Sequence, residues 1–423
     1  MRAQLTWTLI TELVVMAAGI VLLKLAAQML GPVGFGEYTL SRRAVSLLYL
    51  PLVMGLGIAA PRYVAIARAG ALDGYSARTF AFATLTVGLL PSLIAILLMN
   101  LGPGTASMIL FGSTAMTRLV PAATIVLAGL AMHTIVYAVF RGRGDMRLAN
   151  TLQLLNTGII PVTAFMIVRH DAAAVLSATG ATLIVTCGAA MMIELLRERS
   201  DPAPRHDVVA HLRLLLRFGL PRVPGEFALV GLFALPALLA LRAHGVVVAG
   251  QFSAGMSLLS IVSNVFAPVG LVMLPRASAQ VATGDLAGVR RLVLRMLGGG
   301  MALAVSAVII GELLIPPFVR WYFGNEFLPA IPVFRACLLG VIPYVVYVLL
   351  RNILDALDVR AVNSRNLIIA LALLMALCLL RSEIMSMALS LLVALTLLSV
   401  LSLRDTYARL GSHVLAAPSS VPA

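Results

Sequence analysis

The sequence predicts an all-α integral membrane protein of about twelve transmembrane helices, arranged as two related six-helix halves. Three observations carry this. Apolar stretches of spanning length recur along the chain, charged residues are too scarce for a soluble surface, and several of the charged positions recur about 214 residues apart.

Hydrophobic residues make up 61% of the 423 and charged residues only 11%, where a soluble chain carries about 25% charged residues. The mean hydropathy is +1.02. About 20 apolar residues cross a hydrocarbon core roughly 30 Å thick. On that length scale the first half reads as helices over Trp7–Leu30, Tyr38–Ala60, Phe80–Asn100, Leu119–Phe140, Leu148–Val168 and Ala172–Leu195. The second half reads as Phe218–Leu241, Val246–Leu274, Leu292–Val319, Ile331–Leu357, Asn363–Leu380 and Ile384–Leu403. The expected organisation is an N-terminal lobe over 1–196, a charged linker over 197–217, a C-terminal lobe over 218–403 and a disordered tail over 404–423. The first run is too long for a signal-peptide core and carries Glu12 and Lys24, so it is expected to remain as the first helix.

The formal net charge of +14 does not point to nucleic acid. In membrane proteins Lys and Arg collect in cytoplasmic loops and set the orientation. Most of the basic residues here fall at inner ends if the N-terminus is cytoplasmic, so both termini and the linker are expected on that side. Cys187, Cys337 and Cys378 lie in apolar runs without paired spacing and read as small buried hydrophobes.

The two halves are related. Glu12 matches Glu226, Gly36-Glu37-Tyr38 matches Gly250-Gln251-Phe252, and Pro61-Arg62 matches Pro275-Arg276, all at an offset of 214. At 213, the D-x-R-x-x-N of Asp145–Asn150 recurs as Asp358–Asn363. Charges are scarce in this chain, so their recurrence at one offset is evidence of duplication. Six helices per half is an even number, which predicts a parallel repeat. Pro51, Pro91, Pro161, Pro236, Pro268 and Pro343 fall inside the expected spans, where each removes a backbone hydrogen bond and favours a kink.

No enzyme signature is present: there is no metal-ligand cluster, no G-x-S-x-G and no phosphate loop. No cofactor is implied. What remains is charge inside the membrane, which costs about 2.5–3.5 kcal/mol per residue at a helix centre. Lys24, Arg42 and Arg43 share one layer in the outer half of the first two helices, with Glu37 the only nearby carboxylate. They are either an anion site or side chains snorkelling to the interface. Glu12 and Glu226, with Arg62 and Arg276, recur in both halves and read as one structural ion pair per half or as a gate. Tyr344, Tyr347 and Arg351 align on helix ten, and Asn150, Gln153 and Asn156 on helix five. Each stripe is suited to lining a polar cavity or to interhelical hydrogen bonding. His133 reads as a satisfied core residue rather than a proton carrier.

Leu30-Gly31-Pro32-Val33-Gly34-Phe35-Gly36-Glu37-Tyr38, followed by Gly55-Leu56-Gly57-Ile58-Ala59-Ala60-Pro61-Arg62-Tyr63, resembles the first hairpin of bacterial polysaccharide-export flippases. These Wzx-type proteins belong to the multidrug/oligosaccharidyl-lipid/polysaccharide (MOP) superfamily. The resemblance implies two six-helix lobes around a central cavity, as in MATE transporters, and alternating access. It also implies an undecaprenyl-diphosphate-linked oligosaccharide as substrate, moved from the cytoplasmic to the periplasmic leaflet of the bacterial inner membrane during O-antigen-type polysaccharide synthesis. Lys24, Arg42 and Arg43, with Tyr344, Tyr347 and Arg351, are then the substrate-binding candidates. Membrane lipids, a polysaccharide polymerase and glycosyltransferases are the candidate partners. Two alternatives stand beside this reading. A multidrug cation exporter of the same fold should place carboxylates in its cavity, and a membrane polymerase or ligase should carry a large outer loop.

Overall fold

The structure is a computed structural model that describes residues 2–70, 72, 74–199, 207–266, 277, 280–281, 283–357 and 362–415. Its chain forms two compact units. One comprises residues 1–230 with 237–250, and the other 231–236 with 251–423.

The first unit opens with α1 (Arg2–Leu52), which breaks at Gly31, where φ is 64° and ψ −178°. Only glycine adopts that geometry without strain, and Pro32 then starts the next helical stretch, where its missing N–H is not needed. There follow α2 (Leu56–Arg68), α3 (Ala77–Thr86), α4 (Leu90–Leu101) and α5 (Pro103–Phe111). A 3-10 turn, Thr114–Leu119, leads into α6 (Val120–Arg143). Next come α7 (Met146–Gln153), a wider π turn over Leu154–Ile159, α8 (Ile160–Ile167) and α9 (Ala172–Arg199). A short helix, α10 (Val208–Gly219), and a turn over Leu220–Arg222 precede α11 (Val223–Asn264). The second unit continues with α12 (Leu286–Tyr322), a 3-10 turn over Asn325–Ala330, α13 (Ile331–Leu339) and α14 (Val341–Leu357). It ends with α15 (Val362–Leu380) and α16 (Ile384–Leu415).

Among the described residues nine stretches are long and apolar enough to cross a membrane. Ile10–Leu52 and Val208–Asn264 each contain two of the expected helices, joined at Gly31 and Gly245. The expected fifth helix is divided by the π turn into α7 and α8, each too short alone. Read at their breaks, the nine stretches cover eleven of the expected helices and α7 with α8 the other, residues 267–274 of the expected eighth helix lying outside the described residues.

The duplication is written in the backbone. Gly245 breaks α11 with φ 79° and ψ 178°, the conformation that Gly31 has 214 residues earlier. The 3-10 turn before α6 recurs before α13, and both helices then begin with a proline in the first turn. Gly36 and Gly250, also 214 apart, meet backbone to backbone: a Cβ on Gly250 would lie 2.6 Å from the Gly36 Cα.

Packing follows the rule for helices in lipid, where small residues let backbones approach because burial from water cannot drive association. In the first unit Ala59, Ala60, Ala131 and Ala138 are buried together with Leu56, Phe80, Ile135 and Val139. In the second, Ala277, Val289, Val293, Val346, Leu350 and Ile353 form a core.

The prolines act unevenly. Pro51 closes α1, while Pro91, Pro161 and Pro343 each sit in the first turn of a new segment. Pro236 lies within the continuous helix α11, and Pro268 lies outside the described residues. Two polar stretches are more structured than their composition suggests. Part of the expected linker is α10, capped by the Asp207 carboxylate, which accepts from the Val209 and Ala210 N–H groups. The last helix continues through the expected start of the tail to Leu415, with Asp405 and Thr406 buried.

Candidate functional site

The three cations of the expected layer lie on α1, on either side of the Gly31 break. Lys24 and Arg43 are half-buried and Arg42 is exposed. Arg42 lies over the Tyr38 ring at 5.6 Å and its Nη1 donates to the Tyr38 hydroxyl at 3.4 Å. Tyr38 is buried and packs its edge against Phe165, with centroids 5.0 Å apart. Arg42 is thus seated on a fixed aromatic surface.

Glu37, the carboxylate expected beside these cations, is committed elsewhere. Both of its oxygens accept from Arg118 Nη2 at 2.5 Å, and Arg118 Nη1 also reaches Asp171 at 3.4 Å. This tie joins α1 to the 3-10 turn before α6. Its counterpart in the second unit is neutral: Gln251 Nε2 donates to the Glu326 carbonyl at 3.1 Å, in the 3-10 turn before α13. The Glu37–Gln251 match in sequence is therefore a match in structure, with the charged version confined to the first unit.

In the second unit Tyr344, Tyr347 and Arg351 form a ladder along α14. The two rings stack at 5.8 Å, Arg351 lies 5.9 Å from the Tyr347 centroid, and Phe233 of α11 meets Tyr344 edge-on at 5.0 Å. Both tyrosines are buried and Arg351 is half-buried. On helix five the polar stripe bonds between helices. Asn150 donates to Thr8 at 3.0 Å, and Gln153 and Asn156 each lie 3.0 Å from a ring nitrogen of His133. Asn156 also accepts from Thr186 at 2.8 Å, and His133 stacks on Tyr137. With both ring nitrogens met by amides, His133 is a satisfied core residue.

The structure does not bring Glu12 and Arg62 together. The charge acting on Glu12 is Arg141, whereas the Arg62 guanidinium lies 4.9 Å from the Phe218 centroid. Glu226 sits beside Tyr49 in a cavity of about 200 Å³ that Val53 and Thr134 also line. Arg276 lies outside the described residues. The duplicated carboxylates that do pair with arginine are ones the sequence reading passed over. Glu194 near the end of α9 is fully buried and pairs with Arg143 at the end of α6, whose carbonyl accepts from Arg68. At an offset of 211, Asp405 near the end of α16 accepts from Arg365 at 2.6 Å and from Asn366 at 2.8 Å, with Arg409 at 3.7 Å. The signal was present as two isolated acids at the ends of the sixth helices. Their offset, three short of 214, hid it.

Among the described residues no group of three or more His, Cys, Asp or Glu is placed to hold a metal ion.

Residues 1–280 match the family described as "Polysaccharide biosynthesis protein". The chain belongs to that family. Its fold is that of MOP-superfamily transporters. A multidrug resistance MATE family transporter of that superfamily, in its inward-facing conformation, matches with a TM-score of 0.75 at 15% identity, over 94% of this chain and 96% of that one. The outward-facing conformation of a MATE family transporter matches with a TM-score of 0.63 at 13% identity, over 96% and 97%. A MOP superfamily transporter from Pyrococcus furiosus, described as having a binding pocket of reverse polarity, matches with a TM-score of 0.59 at 13% identity, over 96% of each chain. No curated protein sequence matches the chain. The family, the fold and the spanning stretches make this chain a multi-pass membrane protein with the fold of MOP-superfamily transporters.

Proposed function

We propose that this transporter moves an undecaprenyl-diphosphate-linked oligosaccharide from the cytoplasmic to the periplasmic leaflet of a bacterial inner membrane, by alternating access of lobes 1–196 and 218–403, with both termini cytoplasmic. The observation that carries the reading is the positive layer of Lys24, Arg42 and Arg43 in a chain of a polysaccharide biosynthesis family. A sugar head with an anionic diphosphate cannot enter hydrocarbon unaided, and cations held within a span offset that cost. Lys24, Arg42 and Arg43 receive the diphosphate, and Arg351 is the second unit's contribution to the polar head. A polysaccharide polymerase and glycosyltransferases are the partners on either side of the step.

The multidrug resistance transporter among the structural neighbours favours a second reading, export of organic cations. Positive charge in the first hairpin argues against it, because cations repel a cationic drug. Reconstituted transport of a lipid-linked oligosaccharide, set against efflux of a cationic dye, separates the two. The proposal expects the first and no dye efflux. Dye transport without sugar translocation would overturn it.

A further inference from the structure

A second basic site lies at the opposite, predicted inner end of the first unit. Phe218, at the end of α10, carries two guanidinium groups. Arg222 sits 3.7 Å from the ring centroid and Arg62 4.9 Å from it. The ring is held by Tyr63, which meets it edge-on at 5.6 Å, and Arg222 Nη1 donates to the Phe218 carbonyl at 2.7 Å. Neither arginine pairs with a carboxylate among the described residues. Two like charges gathered on one ring repel each other, and an anion between them relieves that repulsion.

The helix that presents Phe218 has two apolar faces. One buries His211 and Leu215 against α2 and α3, where His211 Nε2 accepts from the Ser76 N–H at 3.0 Å and Nδ1 donates to the Asp207 carbonyl at 2.7 Å. The other is an open groove of about 650 Å³ lined by Val209, Leu212, Leu216 and Leu220 together with Arg213 and Arg217. It ends at Pro221, next to Arg222. Apolar residues beside a row of arginines are the composition of a helix lying in a membrane interface.

We propose that this groove and the Arg62–Arg222 pair bind one anionic phospholipid of the cytoplasmic leaflet, with an acyl chain along α10 and the phosphate between the guanidinium groups. The charge complementarity names the headgroup and the apolar groove names the chain. The proposal does not rest on the sugar reading, since Lys24, Arg42 and Arg43 lie in another layer.

The full-length chain in detergent is titrated with phosphatidylglycerol or phosphatidylcholine of matched chains, and bound lipid is counted by native mass spectrometry. The wild type should retain phosphatidylglycerol about tenfold more tightly, on the attraction expected per arginine near an anionic surface. R62Q/R222Q should lose most of that preference, while R62K/R222K, which keeps the charge without the planar fork, should retain part of it and show that the site's fold survives. Leu216→Glu, in the groove, should weaken both lipids. Equal retention of the two lipids by the wild type, or an unchanged preference in R62Q/R222Q, would overturn the proposal. So would displacement of phosphatidylglycerol by inorganic phosphate at equal concentration, which would mark a bare phosphate site. Tighter, Arg62-dependent binding of a polyprenyl diphosphate would also overturn it by making the site the substrate's.

Discussion

Glu194 shows what a span requires of a charge. It is fully buried, and Arg143 is within reach of its carboxylate. Removing one member of a buried pair leaves the other unpaired, at a cost of about 3–5 kcal/mol for fully desolvated groups. Arg143 keeps a little over a quarter of its side chain exposed, so E194A should cost about 2–3 kcal/mol. The double variant R143M/E194L, which replaces the pair with apolar groups, should recover most of that. Thermal unfolding in detergent reads both values, and equal destabilisation by the two variants would contradict the pairing. Arg62 gives the complementary case. Its contact is a ring, so exchanging charges in E12R/R62E should not rescue R62E, whereas a true Glu12–Arg62 pair would. Folded yield in membranes distinguishes the two.

The breaks in α1 and α11 are the clearest features at the scale of elements. Gly31 and Gly245 have positive φ and extended ψ, a region that residues with a Cβ enter at a cost of about 1–3 kcal/mol. Gly31→Val should therefore lower the unfolding temperature even though open space surrounds a Cβ there. Gly250→Leu should be worse for a different reason, since its side chain would meet the Gly36 backbone. If Gly31→Val proved neutral, the conformational argument would fail. These elements also show how much of the fold could be read from sequence. Helix number and the two-half repeat were legible because length, hydropathy and scarce charges act locally. The pairing of Glu37 with Arg118, 81 residues away, was not, because nothing local marks which cation a buried carboxylate meets. The linker helix α10 was hidden for another reason. It is 12 residues long, too short to span, and its arginines made it look like a loop. Glu194 and Asp405 were missed because the second half is three residues shorter between the matched positions, which moved their offset to 211.

At the scale of the whole molecule, the duplicated backbone and the unduplicated charge divide the labour. Both sequence halves repeat the glycine break, the 3-10 turn and an acid in the sixth helix, which are features of stability. Lys24, Arg42 and Arg43 have Leu238, Met256 and Ser257 as their counterparts, so these cations belong to the first sequence half alone, as the proposed substrate role requires. The candidate site was legible to the same extent: cations in a span are visible in sequence, whereas the burial of Tyr344 and Tyr347 required the structure. The most direct measurement is translocation of a lipid-linked oligosaccharide in proteoliposomes, comparing the wild type with K24A/R42A/R43A at equal incorporation. The account predicts transport by the wild type and a loss of at least tenfold in the triple variant, since each span cation interacting with the diphosphate contributes about 1 kcal/mol or more. Undiminished transport by the triple variant would contradict it and place the anion site elsewhere.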